Sequence, residues 1–236
     1  MSYPVWRVYM DQDVLRAHAD WLDHGKTGPG RLVLEDQDLR GARAAQSFPA
    51  ARFVRCDLSK ASFPLLGLDE LEVVECKLDD ALLRQTHLEC ASITGTTFGS
   101  ADLRLVHLSH AQIRDSSFVG ANLERGFFIG TVLERVNLAG ARLVDGVFDD
   151  AHLADCDLRG CDLSRDDTFL NLARTIRTRF ERCDLRGVKL DGRRLDGTVF
   201  DHCRMDGMTG KPDIVGPYTI LEPTGATVDE IEAAWR

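Results

Sequence analysis

The sequence predicts an all-β solenoid, on three observations. From Phe48 to Leu163 every fifth residue is apolar without a slip: 24 positions, of which 21 are Leu or Phe and the others Val73, Ile93 and Ile113. With 44% hydrophobic residues overall, chance gives this run a probability on the order of 10⁻⁹. The residue two before each of these centres is small: from Ala51 to Cys161, 21 of 23 such slots hold Ala, Cys, Thr, Ser, Gly or Val, with Leu66 and Leu71 as the exceptions. The remaining three positions of each quintet carry most of the charge and glycine. A period of five fits neither a helix at 3.6 nor a flat strand at 2. Residues i and i−2 of extended backbone point the same way, so a large centre and a small slot fill a narrow interior while the other three positions face water or turn the chain.

The order of elements follows from that rhythm. "DQDVLRAHADWLDHG" reads as an amphipathic helix with Asp11 or Asp13 as cap, Val14, His18, Trp21 and Leu22 on one face and Gly25 at its end. Residues 1–30 are assigned to this N-terminal helical cap, which covers an open edge that would otherwise invite association. Leu34 and Leu39 are earlier centres, one residue out of phase with Phe48, so one residue is missing near Ala44–Ser47. Around Leu66, Leu71 and Val73 large and small exchange places, and a local bulge is expected. After Leu163 the rhythm stops and resumes at Phe180; a twelve-residue insertion accounts for the gap, with an inserted loop near 165–177. Residues 31–208 form the repeat domain. Residues 209–236 form a tail with a short helix, where Thr227 and Glu230 make a capping box and Val228, Ile231 and Trp235 an apolar stripe.

"GANLERG", "GSADLRL", "CDLRGCDLSR" and "RCDLRGVKLDG" resemble the pentapeptide-repeat family, whose pattern is small–Asp/Asn–Leu/Phe–any–any. The resemblance implies a right-handed quadrilateral β-helix in which four quintets make one coil. About eight coils then stack, with residues 20 apart in register. Leu68, Leu88, Leu108, Phe128 and Phe148 share one ladder, Cys56 and Cys76 lie side by side, and a twelve-residue insertion places Phe180 and Phe200 above Phe148.

Function is less determined. A net charge of −9 argues against direct nucleic-acid binding. No run of 18 apolar residues suggests a membrane span, and "MSYPVWRVYM" has no cleavage site, so a cytoplasmic protein is expected. Seven cysteines, none in a CxxC, read as small buried hydrophobes, with Cys90 outside the slots and exposed. There is no Walker loop, GxSxG or HExxH, and a filled interior leaves no substrate pocket, so neither an enzyme nor a cofactor is expected. His87 and His107 stack 20 residues apart with His110 nearby; three imidazoles can hold zinc, but with no assured fourth ligand beside Glu89 and Cys90 the face reads as solvated.

Some relatives are DNA mimics that bind DNA gyrase or topoisomerase IV and protect them from quinolones or a producer's own toxin. The resemblance therefore implies a non-enzymatic protein-binding solenoid with a type II topoisomerase as one candidate partner; the alternative is a structural or regulatory interaction module with an unrelated partner. The candidate contact is the side bearing Asp69, Glu70, Glu89, Phe127, Ile129, Asp149 and Asp150, acid flanking an apolar patch. Phe169, Leu172, Arg174 and Arg177 mark the insertion as a candidate recognition loop, the alternative being a short helix docked on the rod. Val228, Ile231 and Trp235 mark either a C-terminal cap or a homodimer contact.

Overall fold

A computed structural model of the chain describes residues 12–44, 46–166 and 173–236. Ten three-residue strands lie in a single sheet in chain order, each parallel to the next: β1 (Val33–Glu35), β2 (Arg52–Val54), β3 (Glu72–Val74), β4 (Ser92–Thr94), β5 (Gln112–Arg114), β6 (Val132–Glu134), β7 (His152–Ala154), β8 (Arg179–Glu181), β9 (Val199–Asp201) and β10 (Thr219–Leu221). Three further ladders of parallel bridges run beside this sheet, through Asp57↔Lys77, Ser62↔Leu82 and Gly67↔His87. Each 20-residue coil thus has four sides. Ten strand layers make about nine turns, and nine spacings of ~4.8 Å give a rod about 43 Å long.

The quintet explains the geometry. Its centre and slot point inward: Leu103, Ile113, Leu123, Leu143 and Leu153 are fully buried, as are the slots Ala101, Ala111 and Cys161. The residue before the centre is often Asp or Asn because its side chain accepts the N–H two residues on; Asp57 does this for Ser59, Asn122 for Glu124, Asn137 for Ala139 and Asp157 for Arg159. The corner is a turn closed by bonds such as Ala141 N–H to the Leu138 carbonyl (2.8 Å), with its third residue left-handed. Gly140 has φ +66° there, the position that type II turns reserve for glycine. Glu70, Glu75 and Asp80 occupy it in other coils at φ 53–59°.

Polar slot residues also have a structural use. Thr86, Thr131, Cys156 and Thr198 each donate to the carbonyl of the centre 23 residues earlier, those of Phe63, Leu108, Leu133 and Thr175. On the side following the strands, Cys56 N–H reaches Cys76 Sγ (3.3 Å), Cys76 N–H reaches Thr96 Oγ1 (3.3 Å) and Thr96 N–H reaches Ser116 Oγ (3.2 Å). These slots must be small, and a hydroxyl or thiol in them satisfies backbone that would otherwise be buried unpaired. All seven cysteines are free, and Cys90 alone is exposed.

The strand spacing reports the register. It is 19 residues from β1 to β2, which confirms the missing residue near position 45, and 20 from β2 through β7. The region of Leu71 and Val73 holds no bulge: β3 keeps the same register to both neighbours. From β7 to β8 the spacing is 27, because Leu153 pairs with Phe180. The insertion is therefore seven residues, 166–172, rather than twelve, and Phe180 and Phe200 continue the ladder of Leu133 and Leu153, not that of Phe128 and Phe148. The centre above Phe148 is Thr175, as the bridge Val147↔Arg174 one residue earlier shows. Thr175 is 1% exposed and gives its Oγ1–H to the Arg194 carbonyl.

Both ends are covered. α1 (Gln12–Asp23) closes with Gly25 N–H to the Leu22 carbonyl and Lys26 N–H to that of Trp21, a Schellman ending. Asp13 lies in its first turn, and Asp11 lies outside the described residues. His18 and Trp21 face the rod and are buried, while Leu22 is half-buried. His18 Nδ1 accepts Leu32 N–H (3.0 Å), so its Nε2–H donates to the Pro49 carbonyl (3.1 Å). At the other end β10 joins the sheet, and α2 (Val228–Ala234) begins with the capping box of Thr227 and Glu230. Ile231 and Trp235 belong to the chain's own core, with Trp235 against Phe200 and Tyr218. Those two residues are buried against the last coil, and Val228 is at the exposed edge of the helix.

Candidate interaction face

One side of the rod carries, in the two columns flanking its inward centres from coil to coil, Gly67 and Asp69, His87 and Glu89, His107 and Ser109, Phe127 and Ile129, and Val147 and Asp149, of which Val147 is buried at 1% exposure, so the open surface ends at Ile129 and Asp149. No Lys or Arg stands in either column over this stretch. The residues on both sides of an inward centre point outward together, so the columns form one surface.

Its character changes along the axis. At the N-terminal end Asp69 Oδ1 accepts Glu89 N–H (3.0 Å), and Glu70 pairs with Lys26. His87 and His107 stack at 4.4 Å with 6° between ring planes, and His107 continues onto Phe127 at 4.7 Å. Burial and the neighbouring His87 hold the His107 imidazole below its ordinary value. Glu89 Oε1 lies 3.7 Å from His107 Nδ1. His87, Glu89 and His107 bring three potential metal-ligand atoms within 4.8 Å of one another. His110 is set apart, one coil beneath Gly130, where a Cβ would meet its Nδ1 at 2.7 Å. Mid-face, Phe127 and Ile129 are half-buried.

The C-terminal end is not the acidic patch expected from the sequence. Asp149 lies 3.0 Å from Arg174, and Asp150 makes two 2.6 Å bonds to Arg177, which holds its carboxyl below the usual range. Arg174 and Arg177 are themselves repeat positions, one bridged to Val147 and the other at a corner, rather than parts of a loop. Phe169 and Leu172 lie outside the described residues. The face thus brings Asp69, Glu89, Phe127 and Ile129 together as an acidic-to-apolar surface and closes it with ion pairs.

Arginine neutralises acids elsewhere too. Arg55 pairs with Asp36, Arg135 with Asp115 and Arg182 with Asp155 across adjacent coils; Arg104, Arg159 and Arg186 pair with the Asp two residues before them. Exposed pairs contribute roughly 0–1 kcal/mol each, so their main effect is on surface charge.

Sequence reading missed Arg193. It occupies an inward slot and is fully buried, with Nη1 on the Gly146 carbonyl (2.7 Å) and its guanidinium 5.4 Å from the Phe148 ring. Thr175 leaves a Phe-sized space above Phe148, and the long side chain fills it. Burial lowers the guanidinium to about 9 against the raising effect of Asp145 and Asp149.

The interior is closely filled. Two voids in the N-terminal coils hold about 10 and about 20 Å³, the larger between Phe53, Val73 and Ile93. An open notch of about 310 Å³ lies beside α1, against Asp20, Trp21 and His24.

A family model for pentapeptide repeats matches in eight copies over residues 90–125 and 128–165, where coil, corner and slot repeat without interruption. The chain is a pentapeptide-repeat protein. No curated protein matches it in sequence. Among solved structures, this pentapeptide-repeat protein is similar to HetL, a pentapeptide repeat protein involved in heterocyst differentiation regulation in the cyanobacterium Nostoc sp. strain PCC 7120. That match is 19% identical and covers 87% of this chain and 93% of HetL, with a TM-score of 0.31. It is also similar to trypsin-treated QnrB1, a plasmid-mediated fluoroquinolone resistance protein: 14% identical, 86% and 96% covered, TM-score 0.40. A pentapeptide repeat protein of the Arabidopsis thaliana thylakoid lumen is 23% identical over 49% of this chain and 67% of its own, with a TM-score of 0.17. Among the described residues no helix is long and apolar enough to cross a membrane.

Proposed function

We propose that this pentapeptide-repeat protein is a non-enzymatic, cytoplasmic protein-binding rod whose contact is the side bearing Asp69, Glu89, Phe127 and Ile129. The observation that carries the reading is the run of outward positions from Gly67 to Asp149 without Lys or Arg, in which carboxylates give way to Phe127 and Ile129. A filled interior turns recognition outward, and acid beside apolar surface suits a partner with an apolar patch edged by basic groups. Seven free thiols accord with a reducing compartment.

A photo-crosslinking residue at position 127 tests it against one at position 189, on another side of the rod. Adducts from position 127 in cells, lost when Asp69 and Glu89 are reversed to Lys, support the face; equal adducts from both positions reject it.

A narrower reading is mimicry of DNA toward gyrase or topoisomerase IV. Duplex DNA presents one charge per ~1.7 Å, so a mimic needs carboxylates without partners. The favouring feature is residues 66–100, with seven acids and two bases (7 − 2 = 5 net negative charges). There Glu75 and Asp80 stand at corners with no ion-pair partner among the described residues. Arginine pairing over the rest of the rod confines the mimic to that belt. Gyrase supercoiling with and without ciprofloxacin decides: no inhibition and no protection at micromolar protein removes this reading and leaves the interaction module with another partner.

A further inference from the structure

The same side holds a second feature, of different chemistry. His87 and His107 are partners in adjacent coils, and their rings stack in parallel. Parallel stacked rings send their in-plane lone pairs toward the same side. Glu89 follows His87 by two residues, so its carboxylate leaves the same surface. The column position preceding His87 is Gly67, whose missing side chain leaves the upper edge of the pair open. Among the described residues Glu89 has no Arg or Lys partner, unlike Asp149 and Asp150, and its one ion-pair contact is His107.

We propose that His87, Glu89 and His107 form a surface site for a borderline divalent metal ion, Zn²⁺ foremost, with its remaining coordination positions open to solvent. Two imidazole nitrogens and one carboxylate oxygen are the ligand types of Zn²⁺, Ni²⁺ and Cu²⁺, whereas Ca²⁺ and Mg²⁺ select oxygen cages. Tetrahedral Zn²⁺ with ligands at 2.0–2.1 Å spaces them about 3.3 Å apart. The three atoms stand within 4.8 Å already, and side-chain rotation in exposed and half-exposed residues covers the difference. Asp69, bonded to Glu89 N–H, fixes the backbone that carries the carboxylate.

The test is calorimetric titration of the untagged full chain with Zn²⁺ at pH 7.5, together with histidine Hε1 NMR signals. The expected result is one equivalent bound more tightly than about 100 μM, with the His87 and His107 signals shifting and those of His110 and His152 staying in place. His87→Ala and His107→Ala each lower affinity at least about tenfold, while Cys90→Ser and His202→Ala leave it unchanged. The wild-type NMR result stands even if a variant folds poorly. No binding, shifts centred on other histidines, affinity unaffected by both histidine variants, or affinity lost with Cys90→Ser overturns the site.

Discussion

The pairing of a large centre with a small slot makes a quantitative prediction at Gly126 and Phe128. Phe128 is 1% exposed and stacks on Phe148 at 4.4 Å. Its ring edge occupies the space beside Gly126, where a Cβ would lie 2.8 Å from Phe128 Cε2. One coil earlier the same two positions hold Val106 and Leu108, both buried. Gly126→Val alone drives a branched side chain into the ring and costs about 1–3 kcal/mol by overpacking. Phe128→Leu alone loses ring area and an aromatic stack, also about 1–3 kcal/mol. The double variant reproduces the neighbouring Val–Leu pair, so the two changes offset each other with a coupling energy of about 1–3 kcal/mol. Denaturant melts of the four proteins give the cycle, and hydrogen exchange at Phe127 and Val132 localises it, because a solenoid coil contacts only its neighbours. Additivity within about 0.5 kcal/mol would refute the shared-volume reasoning.

Three further outcomes follow from the same structure. Val73→Ile extends a centre into the void of about 20 Å³ between Phe53 and Ile93 and should stabilise by up to about 0.8 kcal/mol; a lower denaturation midpoint contradicts it. Burial holds His18 below its ordinary 6.5, with the Pro49 bond raising it and Arg31 lowering it further. Its contribution is therefore complete above pH 6.5 and is lost as pH falls from 6.5 through the folded-state value. Wild type should lose more thermal stability from pH 7 to 5 than His18→Gln; equal losses contradict the His18 assignment. Arg193→Met removes a buried cation whose Nε and Nη2 lack hydrogen-bond partners among the described residues while nearly keeping volume, and should stabilise by about 1 kcal/mol, whereas Arg193→Ala should cost about 2–4 kcal/mol for the cavity. A Met variant that melts as low as the Ala variant contradicts that account.

The centres and slots from Phe48 to Leu163 were legible because no polar residue interrupts the run of large apolar centres and nearly every slot, apolar or polar, is small. The register beyond Leu163 was not. A gap of 17 residues equals one quintet plus twelve or two quintets plus seven, and both keep the five-residue phase; only the side of the coil differs. The deciding centre, Thr175, is polar and invisible to a hydrophobic count. The same step hid the partners of the candidate face. Arg174 and Arg177 lie far along the chain from Asp149 and Asp150, and they become neighbours only once the coil is known to re-enter at Ala173. Ile231 and Trp235 were visible as a stripe, but a stripe does not say whether it covers its own last coil or a second copy. His87, Glu89 and His107 were all noticed as a group; their convergence needed the backbone register that stacks two imidazoles and the alternation that sets Glu89 beside them.

Continuity of the four sides through the insertion is the claim on which the surface assignments rest, and cysteine cross-linking reads it most directly. With Cys90 replaced by Ser, His152→Cys with Arg179→Cys places two thiols at partner positions of β7 and β8, within the reach of a disulfide. Val147→Cys with Arg179→Cys samples the alignment that a twelve-residue insertion requires. The account predicts rapid oxidation of the 152–179 pair and none of the 147–179 pair; the reverse pattern would contradict it.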